Sequence, residues 1–232
     1  MPGTTARSHI RRPLPRRRTS QPAASSIREP DPHGSRARLF RAAAAEFAAR
    51  GFAGASVDRI AVTAKVNKAM IYYHFSSKAA LYQEVLGDMF HAVASRTRSV
   101  AASDATPEDK LRQFVEAIAD EAEARPHFPP IWFREIAEGG AHLGATTLAD
   151  ITSVVQALAA ILQQGIRARR FRRVNPLLVH GGIVGPLLMY FASGPLRRRL
   201  GRGGLAGATS FDRREVVAHV QRVSLGILKG TM

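Results

Sequence analysis

From Ser35 onward the apolar positions follow a helical rhythm. In SRARLFRAAAAEFAARGF, Leu39, Ala43 and Phe47 recur every four residues, Phe40 and Ala44 flank them, and Gly51 supplies a C-terminal stop. The next stretch, ASVDRIAVTA, opens on Ser56, a good N-cap, and sets Val57, Ile60, Ala61 and Ala64 on one face. A third helix follows almost at once, with Asn67 as its cap and Ile71 and Phe75 as its i, i+4 apolar pair. Two short helices joined by so tight a turn predict a helix-turn-helix.

Beyond it the pattern stays helical. Residues 78–99 place Leu81, Val85, Met89 and Val93 four apart in one long connecting helix. TPEDKLRQFVEAIADEAEAR starts on Thr106 with an acidic first turn and turns Leu111, Phe114, Val115 and Ile118 inward. FPPIWFREIAEGG predicts a helix that starts on prolines and ends on glycines, and residues 146–169 predict another. The expected fold class is therefore all-α.

Residues 174–196 contain no Asp, Glu, Lys or Arg, and by length they are a transmembrane candidate. Three prolines, four glycines, an internal His180 and arginines at both ends speak against a span. The preferred reading is a helix buried on two sides, against its own domain and against a twin subunit. Residues 175–194 would then pair with 211–229, the last helix, to hold a homodimer, with Leu188 in the seam. No membrane association is expected.

On the third helix, inward-facing Ile71 and Phe75 leave Lys68, Ala69, Met70, Tyr72 and Tyr73 around the outer face. Residues 64–82 also hold three of the chain's four tyrosines and three of its five lysines. Hydroxyl, imidazole and ammonium groups donate to phosphate oxygens, methyl groups meet thymine, and a lysine reaches guanine acceptors. The competing reading makes the tyrosines packing residues between helices.

Charge adds less than its size suggests. The chain carries a formal net charge of +16, with 29 arginines against 5 lysines. Nucleic-acid binding and a biased genome composition both produce such a balance. Residues 1–34 hold seven arginines against Glu29 and Asp31, lack an apolar period, and read as a disordered, solvated tail. A basic arm touching DNA is the alternative. No apolar segment follows Arg11 and Arg12, which argues against export. The absence of cysteine excludes disulfides and thiolate metal sites and fits a cytoplasmic protein.

The run AAAAEFAARGFAGAS followed by IAVTAKVNKAMIYYHFSSKAALY resembles the DNA-binding region of the TetR family of transcriptional regulators over roughly residues 35–94. Phe47, Gly51, Ser56, Ile60, Ala61, Val66, Tyr72, His74, Phe75, Lys78 and Leu81 carry the resemblance. It implies that Lys68, Ala69, Met70 and Tyr72 face bases, and that Ser56, Tyr73, His74 and Lys78 meet phosphates. The family's turn usually has glycine where this chain has Lys65, so a modest backbone strain is expected there. Glycine or proline is also common in the family at the position of Ala69.

The resemblance divides the chain into a tail (1–34), a helix-turn-helix domain (35–94) and a helical ligand-binding and dimerisation domain (95–232). It implies a ligand-responsive repressor that binds a double-stranded palindromic operator as a homodimer and is released by a small-molecule effector. A nonspecific architectural DNA binder is the alternative. Phe114, Trp132, Phe133, Met189 and Tyr190 are candidates for an apolar effector pocket, or for simple core.

Enzyme signals are weak. His180-Gly181-Gly182 has no nucleophile elbow beside it, and the glycine-rich residues 201–207 follow no strand. His127, Glu135, Glu138 and His142 lack tight ligand spacing, so neither a metal nor a cofactor is expected.

Overall fold

The structure is a computed structural model that describes residues 32–231 and the isolated Gly3. The tail reading for residues 1–34 therefore lies almost wholly outside the described residues. Its last positions belong to the first helix, α1 (Pro32–Gly54), which starts three residues before Ser35. Nine helices follow, and there is no strand among the described residues.

The head consists of α1, α2 (Val57–Ala64) and α3 (Ala69–Phe75). Leu39, Ala43, Phe47, Ile60, Ala61, Ile71 and Phe75 form its core, the apolar faces that the spacing predicts. The helical run of α1 breaks at Gly51, whose φ of 69° and ψ of 177° only glycine adopts freely. Ser56 caps α2 by accepting from the Arg59 N–H at 3.5 Å. The Glu46 carboxylate fixes the same corner, accepting from the Ser56 N–H at 3.1 Å and from Arg59 Nε at 2.7 Å. Burial tends to raise the Glu46 pKa, but Arg59, the Ser56 N–H and Arg50 outweigh burial and hold it below its ordinary value.

Lys65 closes α2 in the left-handed region (φ 55°, ψ 48°), the strained conformation anticipated for this turn. Its N–H reaches the carbonyls of Ala61 and Val62, and Arg38 Nε donates to the Ala64 carbonyl at 3.2 Å. The N-cap position of α3 is Lys68, which makes no side-chain cap bond, and not Asn67 as the spacing predicts; Asn67, one residue earlier, accepts from the Ala69 N–H through Oδ1 at 2.9 Å.

Ser77 caps α4 (Lys78–Ala102), which runs out of the head into the larger helical body. Leu81, Val85, Met89 and Val93 are buried along it. The body adds α5 (Pro107–Ala124), capped by Thr106, α6 (Phe128–Ala137) and α7 (Ala145–Arg167). It is completed by α8 (Pro176–Ala192), α9 (Gly194–Arg202) and α10 (Arg213–Lys229), which opens on an Asp212/Glu215 capping box. α7 packs against α4, α5 and α8, α10 packs on α5 and α8, and α6 packs on α1 and α8.

The charge-free segment is not one helix. It breaks at Ser193, and α9 leaves α8 at 61°. Pro195 has no N–H for the α8 ladder and disfavours helical geometry in the residue before it. By length and composition α7 is the one helix among the described residues that could cross a bilayer, and α8 with α9 passes only as a bent pair.

The two faces of α8 also differ from expectation. Val179, Ile183, Leu187 and Leu188 point into the body, while Leu177, Leu178 and Met189 are exposed. Leu188 is 1% exposed, so it belongs to the core of its own subunit and not to an outer seam. Apolar spacing does not separate the sides of a helix that is apolar all round.

Candidate functional site

α3 projects Lys68, Ala69, Tyr72 and Tyr73 outward because Ile71 and Phe75 are held in the head core. Tyr73 is 75% exposed and Tyr72 50%. Tyrosines that served as packing between helices would be covered, so the packing reading fails for this pair. Met70 is half-buried against the core and contributes only an edge to the outer face.

Lys68 Nζ lies 2.8 Å from Asp58 Oδ1 at the start of α2, and the Asp58 carboxylate raises the lysine pKa. The ion pair links the two helices across the turn. It also holds the ammonium group beside the outer face of α3.

The four residues assigned to phosphates occupy different settings. Tyr73 is exposed with its ring edge against His74, whereas Ser56 uses its hydroxyl as the cap of α2. His74 Nε2 sits 2.9 Å from the Ser35 hydroxyl, which ties α3 to α1. Lys78 Nζ stands 4.7 Å above the Phe52 ring and donates to the Ala53 carbonyl at 3.4 Å. That cation brackets the Gly51 corner from the first turn of α4. Glu46, Ser35 and Arg38, which position this surface, lacked a motif in the sequence. Their roles depend on contacts distant along the chain.

The five pocket candidates do not converge. Phe114 is fully buried core, and Phe133 is half-buried. Met189 and Tyr190 border an open groove of about 480 Å³ with Arg197 and Phe211. Trp132 alone lines an internal cavity, which Phe90, Ile118, Phe128, His180 and Leu188 help to enclose. Its volume is about 30 Å³. Burial pushes the His180 imidazole below its ordinary pKa, so its neutral form faces this apolar space.

Of the four metal-ligand candidates, Glu135, Glu138 and His142 come together. His127 stands apart at the start of α6.

A helix-turn-helix head with an outward tyrosine face, joined by one long helix to an all-helical body, defines the class: a one-component regulator. A family model described as bacterial regulatory proteins of the tetR family matches residues 39–85, and one described as a tetracyclin repressor-like C-terminal domain matches residues 107–219. The chain belongs to the TetR family of transcriptional regulators.

It is 34% identical over 110 residues to the HTH-type transcriptional repressor SCO4008 of Streptomyces coelicolor, covering 47% of this chain and 54% of that one. The chain thus spans about half the length of that relative. The repressor NicS of Pseudomonas putida is 28% identical over 169 residues, covering 72% of this chain and 79% of NicS. Two solved structures share the fold. A tetR-family regulatory protein from Rhodococcus RHA1 has a TM-score of 0.66 at 18% identity, over 84% of this chain and 96% of its own. PfmR from Thermus thermophilus has a TM-score of 0.64 at 22% identity, over 84% of this chain and 99% of its own.

Proposed function

We propose that this chain is a cytoplasmic transcriptional repressor, without enzymatic activity, that grips a palindromic operator as a homodimer and lets go when a small apolar effector binds its helical body. The observation that carries this reading is the outer face of α3, where Lys68, Ala69, Tyr72 and Tyr73 stand clear of the head core. Such a face suits entry into a major groove, with the Tyr73 hydroxyl on a phosphate and Lys68, Ala69 and Tyr72 toward base edges.

A second copy of the chain fits the outward side of α8. Leu177 and Leu178 are exposed there with Ile227 of α10, and a Cβ on Gly181, Gly182 or Gly185 would meet nothing within 4 Å. Apolar side chains beside open glycine backbone allow a partner helix to approach closely. The resulting two-fold axis would present two recognition helices to successive major grooves, about 34 Å apart.

The cavity beside Trp132 and His180 is the effector site in this reading. At about 30 Å³ it holds roughly one water molecule. An effector must therefore spread α6 from α8. Because α6 also packs on α1, that movement reaches the head. The alternative of an architectural DNA binder needs neither the cavity nor sequence preference.

Fluorescence anisotropy with labelled duplexes tests the proposal. Duplexes from the regions flanking the gene should be held far more tightly than random DNA at the same salt, with two chains per duplex. Equal affinity for both would leave the architectural reading.

A further inference from the structure

We propose that Glu135, Glu138 and His142 form a binding site for a first-row divalent transition cation, with Zn²⁺ as the fitting probe. The three residues stand at i, i+3 and i+7, so Glu135 on the last turn of α6, the C-cap residue Glu138 and His142 in the following turn fall close together. The turn follows because Gly139 and Gly140 adopt φ values of 68° and 74°. Their nearest ligand atoms all lie within 4.8 Å of one another.

The geometry around His142 suits a metal. Its Nδ1 is 3.0 Å from Glu135 Oε1 and 3.5 Å from Glu138 Oε2. Ligands about 2.0–2.1 Å from one ion, at right-angled to tetrahedral spacing, stand about 2.8–3.4 Å apart. One imidazole and two carboxylates form a mixed donor set suited to Zn²⁺ and its neighbours, with water completing the shell.

A second observation concerns charge. Glu135 is fully buried, and among the described residues no lysine or arginine pairs with it; the His142 ring is within hydrogen-bond reach. Buried carboxylates are paired with cations or bound to metals. Glu135 is also held in place as metal-bound carboxylates are. Tyr82 Oη donates to its Oε1 at 2.7 Å and the His142 N–H to its Oε2 at 3.3 Å. Glu138, half-exposed, leaves the ion a path from solvent.

The place matters as well as the chemistry. The His142 ring lies 4.4 Å from the Phe52 ring, directly after the Gly51 break, and Gln83 donates to the His142 carbonyl. A cation would therefore lock the end of α6 against the base of the DNA-binding head.

The test uses the untagged full chain, stripped with a chelator and titrated with ZnCl₂ by calorimetry and by the fluorescence of Trp132, the single tryptophan. The expected result is one ion per chain at micromolar affinity or tighter. Glu138→Gln and His142→Ala should each weaken binding at least about tenfold. Tyr82→Phe, which removes a positioning hydrogen bond, should weaken it by about tenfold. His127→Ala should bind as wild type does. Glu138 is exposed enough for its variant to fold normally, and the melting curve of the stripped protein checks this. Absence of saturable binding, or affinity unchanged in both Glu138→Gln and His142→Ala, would overturn the site and reduce the cluster to a carboxylate–imidazole pair.

Discussion

His74 Nε2 lies 2.9 Å from the Ser35 hydroxyl and joins the last turn of α3 to the first turns of α1. The two residues are 39 positions apart, and Ser35 is fully buried. This bond adds a polar tie between α1 and α3 to the apolar contacts of Ile71 and Phe75. His74→Ala should therefore lower stability by about 1 kcal/mol in urea unfolding. The salt dependence of DNA binding should not change, since the His74 ring is engaged with Ser35 inside the head. Unchanged stability with a shallower salt slope would instead make His74 a phosphate contact.

The exposed tyrosines should behave in the opposite way. Tyr73→Ala and Tyr72→Ala remove surface groups from α3, so urea midpoints should stay within error while operator affinity falls about tenfold, or about 1.4 kcal/mol. Lys68→Ala should weaken operator binding more than random-DNA binding and leave the salt slope nearly unchanged, because Lys68 is turned toward base edges and is already paired with Asp58. Lys78→Ala should affect both properties, because the same ammonium group holds the Phe52–Ala53 corner.

Two leucines of α8 separate the core from the expected interface. Leu178→Arg places a charge on the outward side, where the wild-type side chain is 77% exposed, and should yield a folded monomer with weak operator binding. Leu188→Arg places the charge beside Phe90 and Trp132, and should unfold the body, because an unpaired charge buried there costs several kcal/mol. Sedimentation and circular dichroism distinguish the two outcomes. A dimeric Leu178→Arg protein with full operator affinity would move the interface elsewhere.

This pair also marks what the sequence made legible. The head could be read closely, because Ser56, Asn67 and Gly51 are local signals and because Ile71 and Phe75 pin one face of a short helix. The body was legible as helices but not as faces. In α8 every side is apolar, so Leu188 and Leu178 look alike until α6 and α7 are packed against one of them. The break at Ser193 was carried by Pro195, whose effect on the residues before it competes with an unbroken hydrophobic run. The cavity was missed except for Trp132, because His180 joins Phe90 and Phe128 only in three dimensions. Glu135, Glu138 and His142 were dismissed on spacing, although a glycine turn brings the histidine back beneath the helix.

Lys65 offers a test of backbone strain. At φ 55° it occupies a conformation that disfavours Cβ, so Lys65→Gly should stabilise the head by about 0.5–1 kcal/mol, net of the extra freedom glycine gives the unfolded chain. Urea unfolding at fixed pH gives the value. A loss of stability would mean that the lysine side chain contributes more than its backbone strain costs.

His180 sets a pH dependence. Its folded pKa lies below the unfolded value because burial disfavours the charged form. The stabilising contribution is thus present above the unfolded pKa, about 6.5, and is lost as the pH falls below it. Stability should decline between about pH 7 and pH 5, and His180→Leu should flatten that decline. An equal slope in both proteins would place the titrating group elsewhere, with His127, also held low by burial, as the next candidate.

Operator selectivity is the most direct test of the account. Genomic fragments retained by the purified chain at physiological salt, then competed against random duplex, should share one inverted repeat. That repeat should be bound about a thousandfold more tightly than random DNA, and Tyr72→Ala should narrow the preference about tenfold. Retention without a common repeat, at an affinity equal to that for random DNA, would contradict a sequence-reading regulator and leave a protein that binds DNA by charge alone.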